Sequence, residues 1–216
     1  MRKIFIAPVI ERNKHKEEVI YISTNWIAFF KSIGFETNTS FSFNSKTING
    51  ISKRSDALLL CGTGDISKLS KTKVNRKRDQ FEKKLLISFL KKNKPVLAVC
   101  RGFQLIASLN SGVFSTSRNH VRKVHNLKIN KESQYIKFKQ LVTNSFHKNV
   151  VKKISKEFKV VARSDDGFIE ITENFKKKIL CFMFHPERYN NSDSKIKTII
   201  KNFLHGSINT GRRKRK

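Results

Sequence analysis

Apolar residues change their spacing from block to block along this chain, and the spacing predicts the elements. "KIFIAPVI" (3–10) is a short β-rich run that Pro8 ends, and "EEVIYISTNWIAFFKSIGF" (17–35) carries apolar residues at helical spacing to a stop at Gly34. "DALLLCGTGD" (56–65) is a continuous apolar strand meeting a glycine turn, and "VNRKRDQFEKKLLISFLKKN" (74–93) reads as an amphipathic helix before Pro95. "PVLAVC" (95–100) is apolar up to its thiol, which suits a strand covered on both faces; "GFQLIASLNSG" supplies a helix ended by Gly112. Strand and helix alternate, so the first half predicts parallel α/β architecture. The second half changes to short β-rich runs, "VHNLKI", "FKVVARS", "GFIEIT" and "KILCFMF", before a last helix around "SKIKTIIKNFLHG". These predict antiparallel hairpins and a closing strand.

Composition adds bounds to this pattern. A chain of 216 residues, 38% hydrophobic and with 18 Phe, has material for one packed core. We expect a single domain over 1–210 and a disordered basic tail, "GRRKRK", over 211–216. No apolar run approaches the roughly 20 residues needed to span a bilayer, and "MRKIFIAPVIERNKHKEE" turns charged too soon for a secretory signal. A cytoplasmic protein without membrane insertion is the expectation. The three cysteines, Cys61, Cys100 and Cys181, are odd in number and lack a CxxC pair, against both a disulfide framework and a cysteine zinc site. Six scattered histidines suggest no metal either, and no organic cofactor is called for.

A formal charge of +30 would draw nucleic acid, anionic lipid or phosphorylated substrates. A codon bias toward Lys, Asn, Ile and Phe explains part of it, but such bias should favour Glu too. The polar, cationic stretch "ISKLSKTKVNRKR" after Asp65 is expected to be a mobile loop.

Parallel sheets bind ligands beyond the carboxyl ends of their strands, which directs attention to the ends of "ALLLC" and "VLAVC". Cys100 sits at such an end. The N-terminus of the following helix and the charge of Arg101 both favour a thiolate, and Gly102 permits a tight turn. A buried cysteine ending a strand is the competing reading. In "FHPER" (184–188), Pro186 forces an extended backbone, so His185 and Glu187 should project to the same side as base and orienting carboxylate. A strand-end histidine beside an unrelated surface glutamate is the alternative, and only the combination with Cys100 raises the chemical reading. The turn "LCGTGD" and the start of the next helix could supply two backbone N–H donors, from Gly62 and Arg101, to an oxyanion.

Together these stretches resemble a class I glutamine amidotransferase of the peptidase C26 type, in the branch of γ-glutamyl hydrolases that act without a fused synthetase. The resemblance is carried by "CRGFQ" like CRGxQ, "TNSFH" (143–147) like VNSxH, "ARSDDGFIEI" (162–171) like A-x-S-x-DG-x-IE, and "FHPER" like WHPE. It implies a three-layer flavodoxin-like fold, with a mostly parallel central sheet and a small antiparallel addition. It implies Cys100 as nucleophile, His185 and Glu187 completing a triad, and Gly62 and Arg101 donating to the oxyanion. Gln104 would lie over the glutamyl group, and Asn144, Ser145, Phe146 and His147 would belong to the substrate site. Two departures stand out: Thr63 replaces a glycine of GGxD, and Phe184 replaces the Trp before HPE. The stretch "TNWIAFFKSIGFE", with Trp26, Phe29, Gly34 and Phe35, is similar to a subgroup in surface-polysaccharide pathways that cleaves γ-glutamyl-CDP-amidate. The same W-x-x-F spacing also suits a plain core face.

The reaction so implied is hydrolysis of a γ-glutamyl amide through a glutamyl thioester, with no metal or organic cofactor. If the leaving group carries a nucleotide diphosphate, the "SKLSKTKVNRKR" region would form a cationic mouth for it. The alternatives are a glutaminase subunit passing ammonia to a partner synthetase, a hydrolase of γ-glutamyl-polyamine compounds, and a non-catalytic nucleic-acid-binding protein supported by the charge and the tail.

Overall fold

The computed structural model describes residues 1–129, 133–137, 139–188 and 194–206. Its first half runs β1 (Arg2–Ala7), β2 (Val9–Arg12), β3 (Glu18–Tyr21), α1 (Thr24–Ser32), β4 (Phe35–Asn38), α2 (Ser45–Arg54), β5 (Ala57–Leu60), α3 (Lys73–Lys91), β6 (Val96–Val99) and α4 (Arg101–Ser108). Its second half runs β7 (Val113–Thr116), a 3-10 turn at Arg118–His120, β8 (Val121–Ile129), β9 (Gln140–Phe146), β10 (Asn149–Lys153), β11 (Lys159–Arg163), β12 (Ile169–Asn174), β13 (Ile179–Phe182) and α5 (Ser194–His205). β2 and β3 form a separate antiparallel hairpin.

The apolar runs occupy the middle of the main sheet. Its order is β4-β1-β5-β6-β13-β12-β11-β8-β9, with β10 and β7 joined at β12. From β4 to β13 every pairing is parallel. From β13 onward the neighbours are antiparallel. β5, β6 and β13 are buried along their whole length, because helices cover both faces. Ile4, Ile6, Leu59, Leu97 and Phe182 pack with α1 and α5, while Phe5, Leu58, Leu60, Ala98 and Cys181 pack with α2, α3 and α4. This is the α/β three-layer arrangement that the alternation predicts.

Three local expectations change. The helix over 17–35 is instead strand β3 followed by the shorter α1; Ser23 Oγ caps α1 by accepting from Asn25 N at 3.3 Å. Val19, Ile20 and Ile22 satisfy a half-buried strand as well as a helix, and the cap at Ser23 marks the true boundary. β4 and α2 lie outside the predicted elements; α2 buries only Ile48, Ile51 and Ser52. The expected mobile loop after Asp65 is structured. Ser70 N bonds to Ile66 O at 3.0 Å, Thr72 caps α3, and Arg78 on α3 is fully buried. The basic tail lies outside the described residues.

Candidate active site

β5, β6 and β13 are neighbours in the sheet, and their carboxyl ends lead directly to Gly62, Cys100 and His185. Cys100 N donates to Phe182 O at 2.7 Å, fixing the β6 end against β13. Cys100 then adopts φ +51° and ψ −103° before α4 starts at Arg101. A side chain held at positive φ is strained, and such strain is sustained by the structure around it. Gly102 permits the turn: an added Cβ would lie 2.2 Å from Leu60 O. Only glycine lets α4 approach β5 so closely.

His185 is held on two sides. Its Nδ1 lies 2.7 Å from Glu187 Oε1, as the turned-away Pro186 predicts. The backbone of His185 is clamped by Asn144, whose Nδ2 donates to His185 O and whose Oδ1 accepts from His185 N, both at 2.9 Å. The Cε1–Nε2 edge of the imidazole faces Gly62 and Cys100: a Cβ at Gly62 would meet Cε1 at 2.5 Å, Nε2 at 3.2 Å and Cys100 Cβ at 3.3 Å. Burial alone would push His185 down, but attraction to Cys100 and the hydrogen bonds to Cys100 and Glu187 hold it up at about 9. A folded value above the ordinary one means that this contribution to stability is whole below about 6.5 and is lost as pH rises through about 9. Glu187→Gln removes one upward influence, so the imidazole should titrate at lower pH. Histidine NMR titration reads this directly, and an unmoved midpoint would show that Glu187 does not support the charge.

The glycine turn is built from beneath by a buried guanidinium. Arg78 donates to Cys61 O at 3.2 Å, Gly62 O at 3.1 Å and Thr63 O at 2.7 Å. Across a trans peptide the C=O and the next N–H point opposite ways, so the Gly62 N–H is turned away from Arg78. Thr63, which stands where the resemblance expects a glycine of GGxD, has φ +76°, at a cost of about 1–3 kcal/mol. Arg101 supplies the first N–H of α4, which has no intrahelical acceptor by its position.

Its guanidinium plays a different part from the one expected. Buried and paired with Glu82 and with Asp79, the latter at 2.5 Å, it is neutralised within the protein rather than lending charge to the thiol. Of the expected cationic mouth, Arg78 is withdrawn by burial; Lys77 pairs with Glu18 of β3, Arg76 donates to Lys71 O at 3.2 Å, and Lys73 stays exposed.

The substrate-site residues divide. Phe146 is exposed beside His185, with ring centroids 6.1 Å apart, and carries the Arg188 guanidinium 4.6 Å above its ring. Gln104 Nε2 donates to Asn149 O at 3.2 Å, while Ser145 Oγ donates to His120 O at 2.6 Å. The Asn144 side chain is committed to His185, so a direct hold on a substrate's α-amino or α-carboxylate end would fall to backbone atoms. His147 is buried and faces Glu170, with Nε2 3.5 Å from Oε1. Arg78, Asp79, Glu82 and Arg188 were not foreseen in these roles: a basic run with a few acids reads as a solvated face.

Residues 11–187 match the family model described as Peptidase C26. The chain is 31% identical over 134 residues to the γ-glutamyl-CDP-amidate hydrolase of Campylobacter jejuni subsp. jejuni serotype O:2, covering 62% of this chain and 63% of that enzyme's length. It is 27% identical over 215 residues to YvdE of Lactococcus lactis subsp. lactis, named as glutamine amidotransferase-like, covering 88% of this chain and 91% of that one. A solved glutamine amidotransferase of Thermotoga maritima superposes with a TM-score of 0.62 at 14% identity, covering 95% of this chain and 84% of that one, a likeness of fold. With a family match spanning most of its length on this fold, the chain belongs to the Peptidase C26, class I glutamine amidotransferase-like family of hydrolases acting on carbon–nitrogen bonds.

Proposed function

We propose that the chain hydrolyses a γ-glutamyl amide by way of a thioester on Cys100. The observation that supports this most is the convergence of Gly62, Cys100 and the His185–Glu187 pair at the ends of three adjacent strands. Cys100 Sγ attacks the γ-carbonyl, and the Gly62 and Arg101 N–H groups receive the oxyanion. His185 gives its Nε2 proton to the departing nitrogen, the C–N bond breaks, and glutamyl remains on sulfur. A water then loses a proton to His185, attacks the thioester and releases glutamate and the thiol. Glu187 keeps the imidazole in register throughout.

The favoured substrate bears a nucleotide diphosphate on the leaving nitrogen, as in γ-glutamyl-CDP-amidate. Similarity to the Campylobacter enzyme supports this, as does a cavity of about 400 Å³ beside the glycine turn. Glu11 and Arg12 of β2, Asp65, and Thr72 to Asn75 at the start of α3 line it. Arg12, Lys73 and the N–H groups of Lys73 and Val74 at the start of α3 suit a phosphate there, partly offset by Glu11 and Asp65. The test is glutamate release from γ-glutamyl-CDP-amidate, glutamine and γ-glutamyl-polyamine compounds, with wild type and Arg12→Glu/Lys73→Glu. We expect the nucleotide substrate to have the highest kcat/KM, and charge reversal to lower it about 10–100-fold at low salt, far more than for glutamine. Equal losses on both would remove the cavity from the reading; no release from any of them would remove the hydrolase.

A further inference from the structure

Histidines scattered in the sequence are not scattered in space. His120, His125 and Glu170 bring ligand atoms to within 4.8 Å of one another, and His147 Nε2 lies 3.5 Å from Glu170 Oε1. The four residues come from the 3-10 turn, β8, the turn after β9, and β12. His120 and Glu170 are fully buried, and His125 is half-buried, leaving a way in from solvent.

The hydrogen-bond accounting of this cluster does not close. His120 Nε2 lies 3.0 Å from Asp166 Oδ2, a carboxylate that can only accept, so the ring proton belongs on Nε2. The lone pair of neutral His120 is then on Nδ1, which points at Glu170 Oε1 from 3.2 Å without hydrogen-bond alignment. His147 Nδ1 faces the Asn149 carbonyl at 3.2 Å, so its lone pair is on Nε2, facing the same carboxylate. His125 Nε2 and both oxygens of Glu170 are also buried without an aligned partner among the described residues. With His120 and His147 neutral, several acceptors thus face one another, and against burial the two carboxylates Glu170 and Asp166 hold His120 above its ordinary range, which makes a proton the competitor of a metal ion here. A buried polar cluster left so is costly, and a cation among His120, His125 and Glu170 would satisfy these three together.

We propose that His120 Nδ1, His125 and the Glu170 carboxylate form a binding site for a divalent transition-metal ion of the zinc class, with His147 Nε2 bordering it through Glu170. Imidazole and carboxylate ligands suit that class. A tetrahedron with bonds of about 2.1 Å has ligand atoms about 3.4 Å apart, near the 3.2 Å between His120 Nδ1 and Glu170 Oε1 and inside the 4.8 Å that bounds the group. Asp166 on His120 is the outer partner that fixes a ligand tautomer, and the Asn149 carbonyl does the same for His147 at the border. The ion would tie β8 and β12 together behind the strand that carries Asn144, and so act on His185 through position rather than chemistry. This site is independent of which amide is cleaved.

The experiment treats the full chain with chelator and titrates it with Co²⁺ and Zn²⁺. Expected are one ion bound per chain, the visible absorption of tetrahedral Co²⁺, and a melting temperature that rises with Zn²⁺. His125→Ala and Glu170→Gln should lose this uptake, and Asp166→Asn should weaken it about 10–100-fold. Circular dichroism identifies any variant that has not folded, and His125→Ala, at the half-buried ligand, is the milder truncation. No stoichiometric uptake by wild type, or uptake unchanged in His125→Ala and Asp166→Asn, would overturn the site. In the first case protons shared between His120, His147 and Glu170 would be the positive charge.

Discussion

Cys100→Ala is expected to lower kcat/KM for glutamate release by at least about 10⁴-fold, the scale on which deleting a triad nucleophile acts. The three thiols differ sharply in surroundings, which makes the prediction specific. Burial pushes Cys61 up to about 11, and its Sγ donates to Ala7 O at 3.1 Å. Burial pushes Cys181 up to about 12 in the middle of β13. Both stay protonated and serve as small core residues. Cys100 alone meets an imidazole braced by a carboxylate, at a strand end beside a glycine where no Cβ fits. Cys61→Ala and Cys181→Ala should therefore keep the activity. Initial rates of glutamate release on whichever γ-glutamyl amide the enzyme prefers decide the matter. Retention of substantial activity by Cys100→Ala, with the same substrate and no contaminating hydrolase, would end the thioester mechanism.

How much of this was readable beforehand follows from how local each signal is. Cys100 and Gly102 are legible because an unbroken apolar run into C-R-G, followed by a helical pattern, reads as a covered strand turning into a helix, and "FHPER" adds the partner that a merely buried cysteine lacks. His185 and Glu187 are legible because Pro186 alone sets their relative direction. The parallel half of the sheet follows from the alternation of elements, since parallel strands need helical crossovers, but its strand order does not. Asn144 is different: it stands in a motif associated with substrate, yet its amide spans the His185 backbone, which only the pairing of distant strands reveals. The histidine cluster is assembled from positions 120, 125 and 170, with 147 beside them, spacing that matches no local metal motif. The start of α1 was readable at Ser23 but was masked by Val19, Ile20 and Ile22, whose apolar run fits both periods.

Glu82→Ala is expected to destabilise the protein by about 3–5 kcal/mol, because it strips the shared counter-ion from two buried guanidinium groups. Glu82 Oε1 accepts from Arg78 Nε at 2.7 Å, and Oε2 accepts from Arg101 Nη1. Burial works against Arg78, but Glu82 holds it above the ordinary arginine value; Arg101 is lowered by burial and by repulsion from Arg78. Without Glu82, Arg101 keeps Asp79 and the Asp65 carbonyl, and Arg78 keeps three carbonyls and Cys61 Sγ but no carboxylate among the described residues. For a chain of 216 residues the loss corresponds to a fall in Tm of roughly 6–20 °C. Urea denaturation of wild type and variant measures it, with Glu36→Ala, from the exposed pair with Lys3, as a control that should change little. The damage should not be confined to stability. Arg78 holds the carbonyls of residues 61 to 63, so an Arg78 freed from Glu82 would loosen the turn whose Gly62 N–H is the proposed oxyanion donor. Residual folded Glu82→Ala should then show a lower kcat with a smaller change in KM, as expected when an interaction made mainly in the transition state is weakened. A stability change within experimental error would instead mean that water reaches both guanidinium groups and that the network is not the foundation of the turn.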